Sequence, residues 1–183
     1  MVWARGGPTC VPIRSGGDEQ PRPPLDRDPL ERVVLGGHPG LEWDVMACTP
    51  DGLDALRAWA ALYRELRPLL DTGDVVRSDH PDPALVVGGV VVEDRSAALV
   101  QVASGRGATP GLVTAPGLDP DRRYRVRVRP EAGLPETVQS RGARWFDAAT
   151  EGGVEVSGRV LGQVGLPMLV LDVQQGFLIH LTS

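Results

Sequence analysis

At 183 residues the chain can bury one ordinary core, or a small domain with an appendage, and is too short for the roughly 250 residues of a complete eight-stranded α/β barrel. Its 42% hydrophobic and 23% charged content is normal for a soluble globular protein, and no apolar run reaches the roughly 20 residues of a membrane span. All 19 basic residues are Arg, against 24 acidic ones, and a net charge of -5 argues against general attraction to nucleic acid or anionic membranes.

Residues 1–29 hold a Pro21-Arg22-Pro23-Pro24 cluster, scattered glycines and almost no apolar periodicity, so they are expected to be disordered. Met1 to Cys10 has one Arg and then glycine and proline where a secretory signal has an apolar stretch, and a cytoplasmic location is expected. Cys10 and Cys48 are too few for a disulfide scaffold and read as free thiols. From Leu30 the character changes: Leu30, Val33, Val34 and Leu35 lead into the turn-rich Gly36-Gly37-His38-Pro39-Gly40 and then Leu41-Glu42-Trp43-Asp44-Val45.

Thr49 followed by Pro50 is a helix start, since the hydroxyl can cap free N–H groups and proline at the first helical position loses no hydrogen bond. Leu56, Trp59, Tyr63, Leu66 and Leu70 then recur at steps of three and four, one apolar stripe on a helix of about five turns. Pro68 should kink or end it a turn early, and Gly73 should supply a left-handed stop. Beyond Gly73 the period falls to about two. Strands are predicted at Val75–Arg77, Leu85–Glu93, Ala97–Ala103, Leu112–Ala115, Tyr124–Arg129, Val154–Val156, Arg159–Val164, Leu169–Val173 and Phe177–Leu181. Glu93-Asp94-Arg95-Ser96 reads as a turn, and Val173-Gln174-Gln175-Gly176 as a hairpin joining the last pair. The fold class expected is mainly β: an antiparallel sandwich preceded by one amphipathic helix.

Three landmarks carry a resemblance. They are Gly37-His38-Pro39-Gly40-Leu41-Glu42-Trp43-Asp44; Tyr63-Arg64-Glu65-Leu66-Arg67 through Leu69-Leu70-Asp71-Thr72-Gly73 to Asp79-His80-Pro81-Asp82-Pro83-Ala84; and Gly117-Leu118-Asp119-Pro120 with Arg123-Tyr124, Val156-Ser157-Gly158-Arg159 and Gly165-Leu166. In this order they resemble the C-terminal third of the bacterial α-galactosidases of glycoside hydrolase family 36, over about residues 30–183. The resemblance implies a remnant of the (β/α)8 barrel end in residues 30–73, its closing strand and helix, and a non-catalytic antiparallel β-sandwich domain in 74–183. Pro39 stands where the family has an aromatic, Gly36 where it often has Phe, and residues 1–29 match nothing in it. The join near residue 30 therefore reads as a truncation, a rearrangement or a misplaced start.

Retaining glycosidases need two carboxyl groups about 5–5.5 Å apart. The resemblance implies that they lie on earlier barrel strands, in a Lys-Trp-Asp type and a Ser-Asp-x-x-Asp type motif. This chain has no Lys, and Asp26-Arg27-Asp28 lacks the surrounding motif, so no catalytic residue is assigned. Glu42 and Asp44 are read as structural, because residues two apart do not face each other on a helix and imply no site on a strand. Asp79-His80-Pro81-Asp82 is read as a rigid turn with side-chain caps rather than a metal or acid/base cluster. His38 and His180 are isolated in sequence, and Gly105, Gly107 and Gly111 lack dinucleotide-binding spacing. Arg123, Arg125, Arg127 and Arg129 alternate with Tyr124, Val126 and Val128; they are read as a solvated, partly ion-paired face rather than a grip for phosphate or acidic polysaccharide. Trp145-Phe146, flanked by Arg141 and Arg144, is read as a loop aromatic covering the open end of the sandwich rather than a sugar platform.

The reading is therefore a C-terminal portion of an α-galactosidase-like enzyme, inert alone, with no cofactor and no metal. Its expected partners are a catalytic barrel or further copies of itself, with galactosides bound only if complemented. The alternative is a stand-alone carbohydrate-binding or protein-interaction module using Arg123 to Arg129 or the Trp145 loop.

Overall fold

The computed structural model describes residues 50–104, 111–135, 144–171 and 175–183. The expectations for residues 1–29, for the barrel-end stretch 30–49 with His38, Glu42, Asp44 and Thr49, and for Cys10, Cys48, Gly105, Gly107 and Arg141 lie outside these residues.

Helix α1 (Pro50–Thr72) opens on proline, with Asp51 beside its positive end. Its buried stripe is Leu62, Leu66 and Leu69, flanked by the half-buried Trp59, Tyr63 and Leu70. The stripe is thus rotated toward Leu62 and Leu69 relative to the sequence reading, because Val90, Leu99 and Leu178 lie against it. Trp59 and Tyr63 stack with ring centres 5.8 Å apart. Pro68 does not end the helix early. It and Arg64 are on the exposed side, so the Arg64 carbonyl that Pro68 cannot satisfy has access to water. Gly73 does not take the expected left-handed φ. Glycine is needed there for space: a Cβ would lie 2.3 Å from Val90 Cγ1 and 2.8 Å from the Leu69 carbonyl oxygen.

Strands β1 (Asp74–Ser78), β2 (Leu85–Val91), β3 (Ala97–Ser104), β5 (Arg123–Val128), β6 (Val154–Ser157) and β8 (Gly176–Thr182) form one antiparallel sheet in the order β1-β2-β3-β8-β5-β6. Strands β4 (Leu112–Val113) and β7 (Leu166–Pro167) pair with each other in a second layer. The C-terminal strand is central, with Ile179 opposite Val100 on one side and Val128 on the other. Alternation sorts the faces. Val100, Val102, Tyr124, Val126, Phe177 and Ile179 point into the main core under the second layer, whereas Leu99, Leu178 and Val90 lie under α1. The fold is mainly β and antiparallel with one long helix before it, as the sequence implied. Among the described residues no helix is long and apolar enough to cross a membrane.

Among the described residues the second layer contains fewer strands than expected. Arg159–Val164 is not a strand: Val160–Val164 forms a π-helical turn closed by Gly165 N–H to the Val160 carbonyl at 2.7 Å. Within it Leu161 alone is buried while Val160 and Val164 are exposed, so the segment has no strand-like alternation to pair. Leu169 to Leu171 is also irregular, burying Leu169 and Leu171 without a ladder, and β8 pairs with β3 and β5 instead of a preceding hairpin partner. Residues 172–174 lie outside the described part. Trp145-Phe146 is on a helix, α2 (Arg144–Glu151), and not in a loop.

The third sequence landmark builds one knot of contacts. The Tyr124 hydroxyl donates to the Arg95 carbonyl at 2.6 Å and accepts the Asp119 N–H at 3.0 Å. Arg95 itself sits at φ 59, in the tight turn between β2 and β3. Gly158 N–H reaches the Arg122 carbonyl at 2.8 Å, and Arg159 bonds both the Pro120 carbonyl and Asp121. A Cβ on Gly158 would fall 1.9 Å from the Asp119 carbonyl oxygen, which is backbone and cannot swing away. Gly158→Ala should therefore cost about 2–3 kcal/mol through forced backbone shifts. Gly152, with nothing within 4 Å of its would-be Cβ, is the control. Urea denaturation of the two alanine variants checks this, and equal midpoints would contradict the close approach.

Candidate functional site

Among the described residues, a buried polar cluster lies where α1 meets the sheet. Arg129 follows β5 and precedes Pro130, which opens the 3₁₀ turn Pro130–Ala132; a residue before proline is driven to extended backbone, and Arg129 has φ -100 and ψ 96. That keeps its side chain on the α1 side, in phase with Arg127. Its side chain is only 5% exposed. Nη1 and Nη2 donate to the two Glu65 carboxylate oxygens at 2.6 and 2.7 Å, a bidentate fork from helix to sheet. Nε and Nη2 donate to Glu131 at 3.2 and 3.0 Å, and Nη1 lies 3.4 Å from His180 Nδ1.

These contacts set the charges. Hydrogen bonding from Arg129 holds the Glu65 carboxyl below its ordinary range against partial burial. Burial pushes Glu131 up, but Arg129's hydrogen bond and charge leave it lowered on balance. Arg129 is held more firmly protonated, chiefly by Glu65. Burial, then the Arg129 charge, pushes His180 below its ordinary value. Because the carboxyl groups are lowered, their stabilisation is present above about pH 4.5 and is lost as pH falls through their folded values.

The four arginines of the 123–129 run are thus not one solvated face. Arg123, Arg125 and Arg127 are exposed, with Arg123 paired to Glu155 and Arg125 donating to the Gly152 carbonyl; Arg129 is buried. His180, isolated in sequence, is brought to Arg129 and sits across from Arg127 in the β5–β8 ladder. In the Asp79–Asp82 segment, Asp82 N–H donates to His80 Nδ1 at 3.1 Å and Ala84 N–H to Asp82 Oδ1 at 2.9 Å, the side-chain caps of a turn. Phe146 is buried edge-on against Phe177, 5.1 Å between centres, and Trp145 Nε1 donates to the Pro167 carbonyl at 2.8 Å. Sequence reasoning missed α2, although Phe146 and Ala149 at a spacing of three, followed by Gly152-Gly153, were a short-helix signal. Among the described residues no group of three or more His, Cys, Asp or Glu could hold a metal ion.

No family model matches the chain. An α-galactosidase of Escherichia coli is 37% identical over 157 residues, which is 81% of this chain and 22% of that protein. A family 36 α-galactosidase of Geobacillus stearothermophilus, solved with 1-deoxygalactonojirimycin, superposes over 83% of this chain and 18% of its own, with a TM-score of 0.63 at 20% identity. This chain is similar to the C-terminal region of family 36 α-galactosidases. The α-galactosidase of Lactobacillus brevis gives the same picture at a TM-score of 0.64 and 19% identity, again covering 83% of this chain and 19% of its own. The α-galactosidase-like chain therefore spans about a fifth of the length of its curated relative, and the solved structures show a shared fold.

In this α-galactosidase-like segment Arg129→Lys keeps the charge and loses the fork, so it should lower stability by about 1–2 kcal/mol. Arg129→Ala should lower it by about 2–3 kcal/mol, since Glu65 and Glu131 are half in water and recover part of the loss by hydration. Equilibrium urea unfolding measures both, and an alanine variant as stable as the parent would contradict the clamp.

Proposed function

We propose that the chain is the non-catalytic, β-rich portion of an α-galactosidase-like glycoside hydrolase, contributing to α-galactoside hydrolysis only together with a catalytic barrel and inert by itself. In this reading residues 30–73 are the barrel end and 74–183 the accessory sandwich. The observation that carries it is the state of the described carboxyl groups. Glu65 and Glu131 are brought to one place, yet both are held ionised by the single guanidinium to which each is hydrogen-bonded. A retaining site needs one carboxyl able to hand over a proton and room between the two for a sugar. Asp82, Asp94 and Asp119 accept N–H bonds within their own turns. The residues that a binding module would use are committed too: Trp145 packs against the main core with its N–H bonded to Pro167, and Arg129 is buried.

The purified chain, incubated with a nitrophenyl α-galactoside, should release no nitrophenol above the buffer blank, and Glu42→Gln or Asp44→Asn should change nothing. Turnover that survives repurification and disappears in either variant would overturn the proposal.

A further inference from the structure

His180 lies in the polar cluster around Arg129 that ties α1 to the sheet, and its ring geometry gives it a role beyond packing. Arg129 Nη1 carries hydrogen and has no lone pair to offer, so the imidazole nitrogen it meets at 3.4 Å, Nδ1, serves as acceptor and the ring is neutral with its proton on Nε2. We propose that the docking of helix α1 on the sheet is proton-gated at His180: protonation turns the Nδ1 acceptor into a donor aimed at Arg129 and releases the helix contact.

The surroundings of the ring fix the direction. Arg129 and, directly across the ladder, Arg127 face it from β5 and its continuation. Glu65 faces it from α1, and Glu131 holds Arg129 from the 3₁₀ turn. On the other side β3 places Leu99, which carries no charge, opposite His180. Two cations oppose a third positive charge. The carboxylate that could welcome it, Glu65, is already spent on both nitrogens of Arg129, so serving the imidazolium requires Glu65 to leave the fork. Either response weakens the link between Glu65 on the helix and Arg129 on the sheet. Burial disfavours the charged ring as well. Stabilisation from neutral His180 is therefore complete above the ordinary histidine value of 6.5 and is lost as pH falls toward the lowered folded value. The consequence is regional, since the contact weakened is the one between α1 and the sheet.

Hydrogen exchange on the full chain tests this. Between about pH 7.5 and about pH 5.5, with intrinsic rates corrected, amides of residues 62–72 should lose protection several-fold while those of β3 change less. In His180→Gln, which keeps an uncharged acceptor, the helix protection should no longer depend on pH in this range. The proposal is overturned if the wild-type helix is insensitive, or if the variant shows the same loss. Should the variant fail to fold, the wild-type midpoint decides. Loss of helix protection must coincide with titration of the one imidazole signal left in a His38→Gln, His80→Gln background, and a midpoint near the carboxylate value of about 4.5 would overturn the proposal.

Discussion

A guanidinium removed from water must find acceptors for its donors inside the protein, and Arg129 finds them on two elements that are far apart in sequence. Glu65 lies 64 residues before it and holds two of its nitrogens; Glu131 lies two residues after it. Leu62, Leu66 and Leu69 give α1 an apolar reason to lie on the sheet, but an apolar stripe alone can slide or rotate. The bidentate contact fixes where along the sheet it sits. The same contact explains why two carboxylates gathered in one place remain ionised, and it adds to the burial that pushes His180 beside them below its ordinary value.

Much of this fold is legible in the sequence. β5 shows through its strict alternation, β2, β3 and β8 through short apolar, β-branched runs bounded by turn residues, and α1 through its three-and-four spacing. What is not legible follows from contacts that no local pattern encodes. Leu62 and Leu69 displace Leu56 from the buried stripe because Val90, Leu99 and Leu178 decide which side of the helix is wet. Val160 and Val164 look like strand residues, yet only Leu161 of that segment reaches the core. Pro68 is compatible with a continuing helix because it falls on the exposed side. At the polar cluster, Arg129 is indistinguishable from Arg123, Arg125 and Arg127 by alternation. Its burial depends on Pro130 and on a helix 64 residues away.

The residues of the sequence landmarks have structural work to do here. Asp119, Tyr124, Gly158 and Arg159 build the knot of contacts at the Tyr124 hydroxyl and the neighbouring Arg122 carbonyl, and Glu65 in the helical landmark grips Arg129. Such residues can mark kinship without carrying chemistry, since an activity belongs to a site and not to the fold attached to it. The central core is closed by the C-terminal strand, whose Phe177 meets Phe146 of α2. The sheet is therefore incomplete without β8, which lies between β3 and β5.

The most direct test of the clamp is a double-mutant cycle between helix and sheet. Unfolding free energies of the parent, Glu65→Gln, Arg129→Met and the double variant give the coupling between the two side chains, free of their separate effects. The account predicts a favourable coupling of about 1–2 kcal/mol for this partly exposed bidentate pair. Strictly additive single effects would show that α1 is held by its apolar stripe alone and would contradict the account.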